Sequence, residues 1–202
     1  MSGTRGAVDL AELAGQREPF EQHVRQALAH HRRHIVVGSE LTCAAVLLPL
    51  LYKEGQWHVL FTQRTQDVEH HKGQISFPGG ACEPFDPDLA ATALRETDEE
   101  IGVPPRLVRV LGALDDFPTI THFLVTPFVG LVPYPLVYSP NPYEVEAVLE
   151  VPLSFFVDPA GLRVEEREHE GQIFDVLFWD YGPHTIWGAT ARILKGFLDL
   201  IA

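Results

Sequence analysis

Between Phe77 and Val103 the chain runs from Phe77-Pro78-Gly79-Gly80 into a helical pattern that closes at Ile101-Gly102-Val103. Asp86 followed by Pro87 predicts an N-cap with proline at the first helical position, and Gly102 predicts the stop, so the helix spans about Pro87 to Ile101. Leu89, Ala90, Ala93, Leu94, Thr97 and Ile101 form its buried side. Glu96, Glu99 and Glu100 are related by i, i+3 and i, i+4 and share the other flank. Like charges so spaced weaken a helix by about 0.2–0.5 kcal/mol per pair, and a divalent cation turns that repulsion into coordination. Taken alone, the three carboxylates are most simply a solvated face, with Arg95 supporting Glu99 as an i, i+4 pair. The glycines change that balance. Gly79-Gly80 lets backbone approach the acidic flank, and carbonyls near Gly80 and Ala81 would add oxygen ligands that suit Mg2+ or Mn2+ better than zinc.

The segment resembles the Nudix box, G-x5-E-x7-R-E-U-x-E-E-x-G-U, where U is a bulky apolar residue. Arg95-Glu96, Glu99-Glu100, Gly102 and Val103 fall in place, with Thr97 at the first apolar position. Gly80 is followed after five residues by Asp86 rather than Glu, and eight residues rather than seven then precede Arg95. That departure resembles the coenzyme A pyrophosphatase branch of the family, whose second signature is L-L-T-x-R-[S/A]-x3-R-x3-G-x3-F-P-G-G. Leu60-Phe61-Thr62-Gln63-Arg64 opens a match to it, and Gly73 with Phe77-Pro78-Gly79-Gly80 closes it. Thr65 replaces the expected Ser or Ala, and Glu69 replaces the second Arg, with His70, His71 and Lys72 beside it.

The resemblance implies an α/β (α+β) fold, the Nudix α/β/α sandwich with a mixed central sheet. It also implies hydrolysis of a diphosphate linkage with Mg2+ or Mn2+. For coenzyme A the products would be 3′,5′-ADP and 4′-phosphopantetheine. Glu96 and Glu100 are the expected metal ligands together with backbone at Gly80, and Glu99 completes the cluster or serves a second ion. Arg95 would orient the carboxylates. The general base is Glu99, or Glu144 or Glu146 from a later loop. Arg64, Lys72, His71, Phe77, Gly79 and Gly80 would meet the substrate. Other readings stay open: the same chemistry on ADP-ribose or a dinucleotide, a non-catalytic Nudix-fold nucleotide-binding protein, or an interaction module with a solvated acidic helix.

The remaining sequence agrees with one domain. A loose segment is expected over residues 1–18 and a single domain over 19–202, enough to bury a sizeable core. A net charge of −13 with no basic run argues against nucleic acid as partner. The longest apolar stretch, near Cys43 to Leu51, is broken by Pro49 and too short to cross a bilayer, and no signal-peptide pattern opens the chain, so a cytoplasmic enzyme is expected. Cys43 and Cys82 lack metal-type spacing and are expected as reduced thiols. A monomer and a homodimer both suit the chain.

Helices are expected over about Pro19–His34 and Thr185–Leu200, and strands over Thr42–Tyr52, Trp57–Arg64, Leu107–Leu114, His122–Val132, Glu144–Val151, Leu162–Glu166 and Ile173–Trp179. Ile186, Ala189, Ile193, Leu194, Phe197 and Leu198 have core-packing spacing. Trp187 is most simply core, with the site rim or a subunit interface as alternatives.

Overall fold

A computed structural model describes residues 9–38, 40–65, 73–169 and 171–202. In chain order it contains α1 (Leu10–Leu13), α2 (Arg17–His30), β1 (Thr42–Lys53), β2 (Gln56–Arg64), β3 (Ile75–Ser76), β4 (Gly79–Ala81), α3 (Leu89–Ile101), β5 (Arg109–Ala113), β6 (Phe117–Pro118) and β7 (Phe123–Leu131). There follow β8 (Val145–Pro152), α4 (Leu153–Val157), β9 (Leu162–His169), β10 (Gln172–Tyr181), β11 (His184–Trp187) and α5 (Gly188–Ile201).

The central sheet is mixed, because β1 runs parallel to β7 and antiparallel to β2. Strands β1 and β2 pair only near their shared turn, from Leu50↔Val59 to Lys53↔Gln56, and diverge beyond it. The chain from Ile75 to Ala81 fills the fork. Its β3 end pairs with β2 at Thr62↔Ser76, and its β4 end pairs with β1 from Ala44↔Ala81 to Val46↔Gly79. Strand alternation turns successive residues of β1 and β2 to opposite faces. Leu48, Leu50, Val59 and Phe61 pack with Phe20, Val24 and Leu28 of α2 and with Leu194 and Phe197 of α5. Leu51 and Leu60 pack with Ile101, and Ala45 and Leu47 with Ala93, on the α3 side. Helix, sheet and helix layers result, as the sequence implies. A second antiparallel sheet, β11-β10-β9, joins the α5 side through Leu177, Trp179 and Ile186.

Four expectations are corrected. Residues 9–18 are not wholly loose: Leu10 and Ala14 are buried, and the Trp57 N–H donates to the Ala14 carbonyl. Helix α2 stops at His30 because the following residues are held elsewhere. The His34 N–H donates to Asp115, the Val36 N–H donates to Asp116, and the Arg33 guanidinium pairs with Asp116. Trp187 is 41% exposed and stacks on Phe178 at 6.0 Å, since β11 extends the small sheet to the residue that caps α5. Finally, Cys43 and Cys82 form a disulfide, with Cα atoms 5.5 Å apart. The β1–β4 ladder places them opposite one another one step beyond Ala44↔Ala81, a juxtaposition invisible in two cysteines 39 positions apart. Closing such a loop stabilises a fold by about 2–4 kcal/mol.

Candidate active site

Helix α3 starts two residues later than expected. Asp88 is the N-cap, its carboxylate accepting from the Ala91 N–H at 2.8 Å. Asp86 is released from capping and grips Arg95 instead, accepting from Nε at 3.0 Å and Nη2 at 3.1 Å, with Thr92 Oγ1 donating to it at 2.8 Å. Bidentate charge-assisted bonds of this kind fix the guanidinium plane, and those bonds hold the Asp86 carboxyl well below the usual carboxylate range. Arg95 then reaches Glu96 at 2.9 Å and Glu99 at 3.0 Å, and Nη2 donates to the Ala81 carbonyl. The Ala81 oxygen is thus turned toward Arg95 rather than free for a metal. Thr97 is buried, and its hydroxyl is satisfied by the Ala93 carbonyl at 2.6 Å. At the other end Gly102 adopts φ +68°, the left-handed C-cap that favours glycine.

The three helical glutamates have different surroundings. Glu99 is 56% exposed and paired with Arg95. Glu96 lies against Gly80, where a Cβ would stand 2.6 Å from its carboxylate oxygen, so only glycine allows this approach. Burial pushes the Glu96 carboxyl up, with Arg95 partly offsetting it and Glu99 and Glu144 adding to it. Glu100 has a side chain only 3% exposed and faces the fork between β1 and β2. It accepts from the Gly79 N–H, Thr62 Oγ1 stands 3.5 Å away, and Arg64 stands 4.0 Å away. Burial raises its pKa to about 8, Arg64 opposes that shift, and the charges of Glu96 and Glu144 reinforce it.

The charge of Glu144 thus reaches Glu96 and Glu100 although the residue lies far along the chain. It is brought there by the turn before β8: the Asn141 N–H donates to the Glu100 carbonyl, and the Thr65 N–H donates to the Glu144 carbonyl. Glu146 is exposed and falls at a register shift, where Gln63 faces Ala147 and Arg64 faces Val145. Phe77, expected to meet substrate, is buried and stacked on Phe61 at 5.0 Å, so it belongs to the core. Gly79 and Gly80 do border the carboxylates. Lys72, His71, His70 and Glu69 lie outside the described residues. The sequence reading missed the Asp86 clamp and Thr62; the carboxylate retained in a displaced box position was the available signal for the former.

A hard cation fits this arrangement. Glu96 is half-buried and Glu100 buried, the charge of Glu144 reaches both, and burial more than these charges raises the two carboxyls against the opposing guanidinium groups of Arg95 and Arg64. Among the described residues no three His, Cys, Asp or Glu side chains already converge on one point, and Arg95 holds Glu96. Oxygen-only donors of this kind select magnesium or manganese over zinc. No helix among the described residues is long and apolar enough to cross a membrane.

Comparison with known proteins places this geometry in a family. The NUDIX domain model matches residues 41–148, from β1 to the middle of β8. An uncharacterised Nudix hydrolase NudL of Photorhabdus laumondii is 42% identical over 75% of this chain and 80% of its own length. Its counterpart in Enterobacter sp. strain 638 is 40% identical over 75% and 79%. A MutT/nudix family protein of Enterococcus faecalis, solved by crystallography, aligns with 98% of this chain and 76% of its own at a TM-score of 0.51 and 16% identity, a likeness of fold. With the family match spanning more than half of the sequence and relatives well above 30% identity, the chain belongs to the Nudix hydrolases, enzymes that act on pyrophosphate bonds.

Proposed function

We propose that the enzyme hydrolyses the diphosphate bond of coenzyme A or its acyl derivatives, giving 3′,5′-ADP and 4′-phosphopantetheine or its acyl form. The observation that carries this reading is the fork. The upstream motif from Leu60 to Arg64 and the Phe77–Gly80 turn are set directly beside the α3 carboxylates, with Arg64 4.0 Å from Glu100. These are the segments in which the chain resembles the coenzyme A pyrophosphatase branch.

Glu96 and Glu100 would hold the divalent ion, with Glu144 next to them. When bound, such an ion neutralises diphosphate charge and lowers the pKa of water. The remaining roles fall to side chains. Asp86 locks Arg95, and Arg95 keeps Glu96 and Glu99 in place. Arg64 keeps a buried Nε–H with no acceptor among the described residues, which suits it to an anionic substrate. Glu144 is the preferred acceptor for the proton of the attacking water, because it comes from a separate element and its charge reaches the cluster, while Glu99 is tied to Arg95. Water oxygen bonds to phosphorus, the bridging oxygen leaves with the other phosphate, and the proton is taken up at the carboxylate.

Glu69, standing where the branch carries Arg, favours a second reading in which another nucleoside diphosphate derivative, such as ADP-ribose or a dinucleotide, is the substrate. Mass-resolved product analysis on a panel of coenzyme A, acetyl-coenzyme A, ADP-ribose and a diadenosine polyphosphate, with Mg2+ and with Mn2+, separates the two. Coenzyme A forms are expected to be cleaved with the highest kcat/KM. Preference for ADP-ribose or the dinucleotide would favour the second reading, and nucleotide binding without turnover of any diphosphate would make the protein a binding module.

A further inference from the structure

Tyr143 is the most exposed aromatic residue among those described, with 83% of its surface open. Most other exposed aromatic rings have a partner. Phe85 lies under the Arg95 guanidinium at 5.7 Å, Tyr134 under Lys53 at 5.5 Å, and Trp187 against Phe178. The Tyr143 ring and hydroxyl have none among the described residues, yet the backbone beneath them is fastened on every side. Its N–H donates to Asn141 Oδ1 at 3.2 Å, and its carbonyl accepts from Thr65 Oγ1 at 3.1 Å. Asn141 also accepts from the Glu144 and Val145 N–H groups and donates to the Glu100 carbonyl. A bare ring thus stands on a fixed turn, one residue from a carboxylate whose charge reaches Glu96 and Glu100, and the backbone beneath it needs no ordering when a flat ligand lies on it. Thr65, a departure from the branch signature, supplies the hydroxyl that pins this turn.

We propose that Tyr143 is a specificity-determining residue that stacks on the heterocyclic base of the substrate while the diphosphate lies on the α3 carboxylates. This rests on the diphosphatase reading above and extends it to the base. Aromatic faces stack on any base, so the contact selects base-bearing diphosphates without choosing among bases. Phe85 is the weaker candidate because its face is taken by Arg95.

The test compares the wild-type chain with Tyr143→Ala and Tyr143→Trp on two substrates: coenzyme A, and a dialkyl diphosphate that carries no base. The ratio of kcat/KM between them should fall about tenfold in Tyr143→Ala, chiefly through KM for coenzyme A, and should recover in Tyr143→Trp. An unchanged ratio, or equal losses on both substrates, would overturn the stacking role. Calorimetric titration with ADP reads the same contact without turnover. A tenfold weaker binding in Tyr143→Ala with rescue by Tyr143→Trp supports the proposal, and equal affinities refute it. Failure of the wild type to cleave either diphosphate would count against the diphosphatase reading alone, leaving the ADP titration to decide on Tyr143.

Discussion

Glu100→Gln should lower kcat for diphosphate cleavage by about 10²–10³-fold while leaving the fold intact. Glutamine keeps the shape and can still accept from the Gly79 N–H, but it removes a carboxyl that can give up its proton to a bound cation. The same change separates function from stability. The folded-state pKa of Glu100 is raised above that of the unfolded chain, so in the metal-free protein folding is favoured where the group is protonated. Stability should therefore decline as pH rises from the ordinary carboxylate range through about 8. Thermal melts of metal-free wild type are expected to show that decline, and Glu100→Gln should flatten it. A variant that lost activity and also melted lower at neutral pH would point to a structural role for Glu100 instead.

The second large effect lies away from the site, at Asp116. Its side chain is buried and accepts from Thr126 Oγ1 at 2.6 Å, from the Val36 N–H at 3.0 Å and from the Arg33 guanidinium. Asp116→Ala leaves Arg33 half-buried without its counter-ion and frees the chain that leaves α2, so it should cost about 3–5 kcal/mol by urea denaturation. Asp115→Ala, which removes a more exposed carboxylate, should cost about 1 kcal/mol or less. Burial alone would raise the Asp116 pKa, but the bonds from Thr126, Arg33 and Val36 more than offset it and hold the carboxyl below its ordinary value. A depressed acid contributes stability above its unfolded pKa and loses it as pH falls through the folded one. The stability gap between wild type and Asp116→Asn should thus be complete above about pH 4 and shrink in stronger acid. A gap that widened in acid would contradict the assignment.

Local sequence made some of this molecule legible. Long periodic segments such as β1, β2, α3 and α5 show their type in the sequence, because burial of one face leaves a repeat behind. Short strands do not. β3, β4 and β6 contain two or three residues each, and β4 is a pair with β1 that only the fork explains. The helical carboxylates were readable, but which of them cluster was not: Glu99 turns outward to Arg95, and Glu144 enters from a turn 44 positions beyond Glu100 through hydrogen bonds that spacing cannot reveal. Two aspartates two residues apart likewise compete for the α3 N-cap, and Arg95, about two turns along the helix, draws Asp86 away from it. Phe77 carries a motif position yet packs on Phe61, since the turn it opens must be anchored in the core.

The central claim is that the fork between β1 and β2 and the α3 carboxylates together form a divalent-cation site. Direct Mn2+ titration followed by electron paramagnetic resonance tests it on wild type, Glu96→Gln, Glu100→Gln and, as a surface control, Glu166→Gln. The account predicts that the wild type and Glu166→Gln bind Mn2+ alike and that each of the other two binds at least about tenfold more weakly. Wild-type Mn2+ affinity in Glu100→Gln would contradict it.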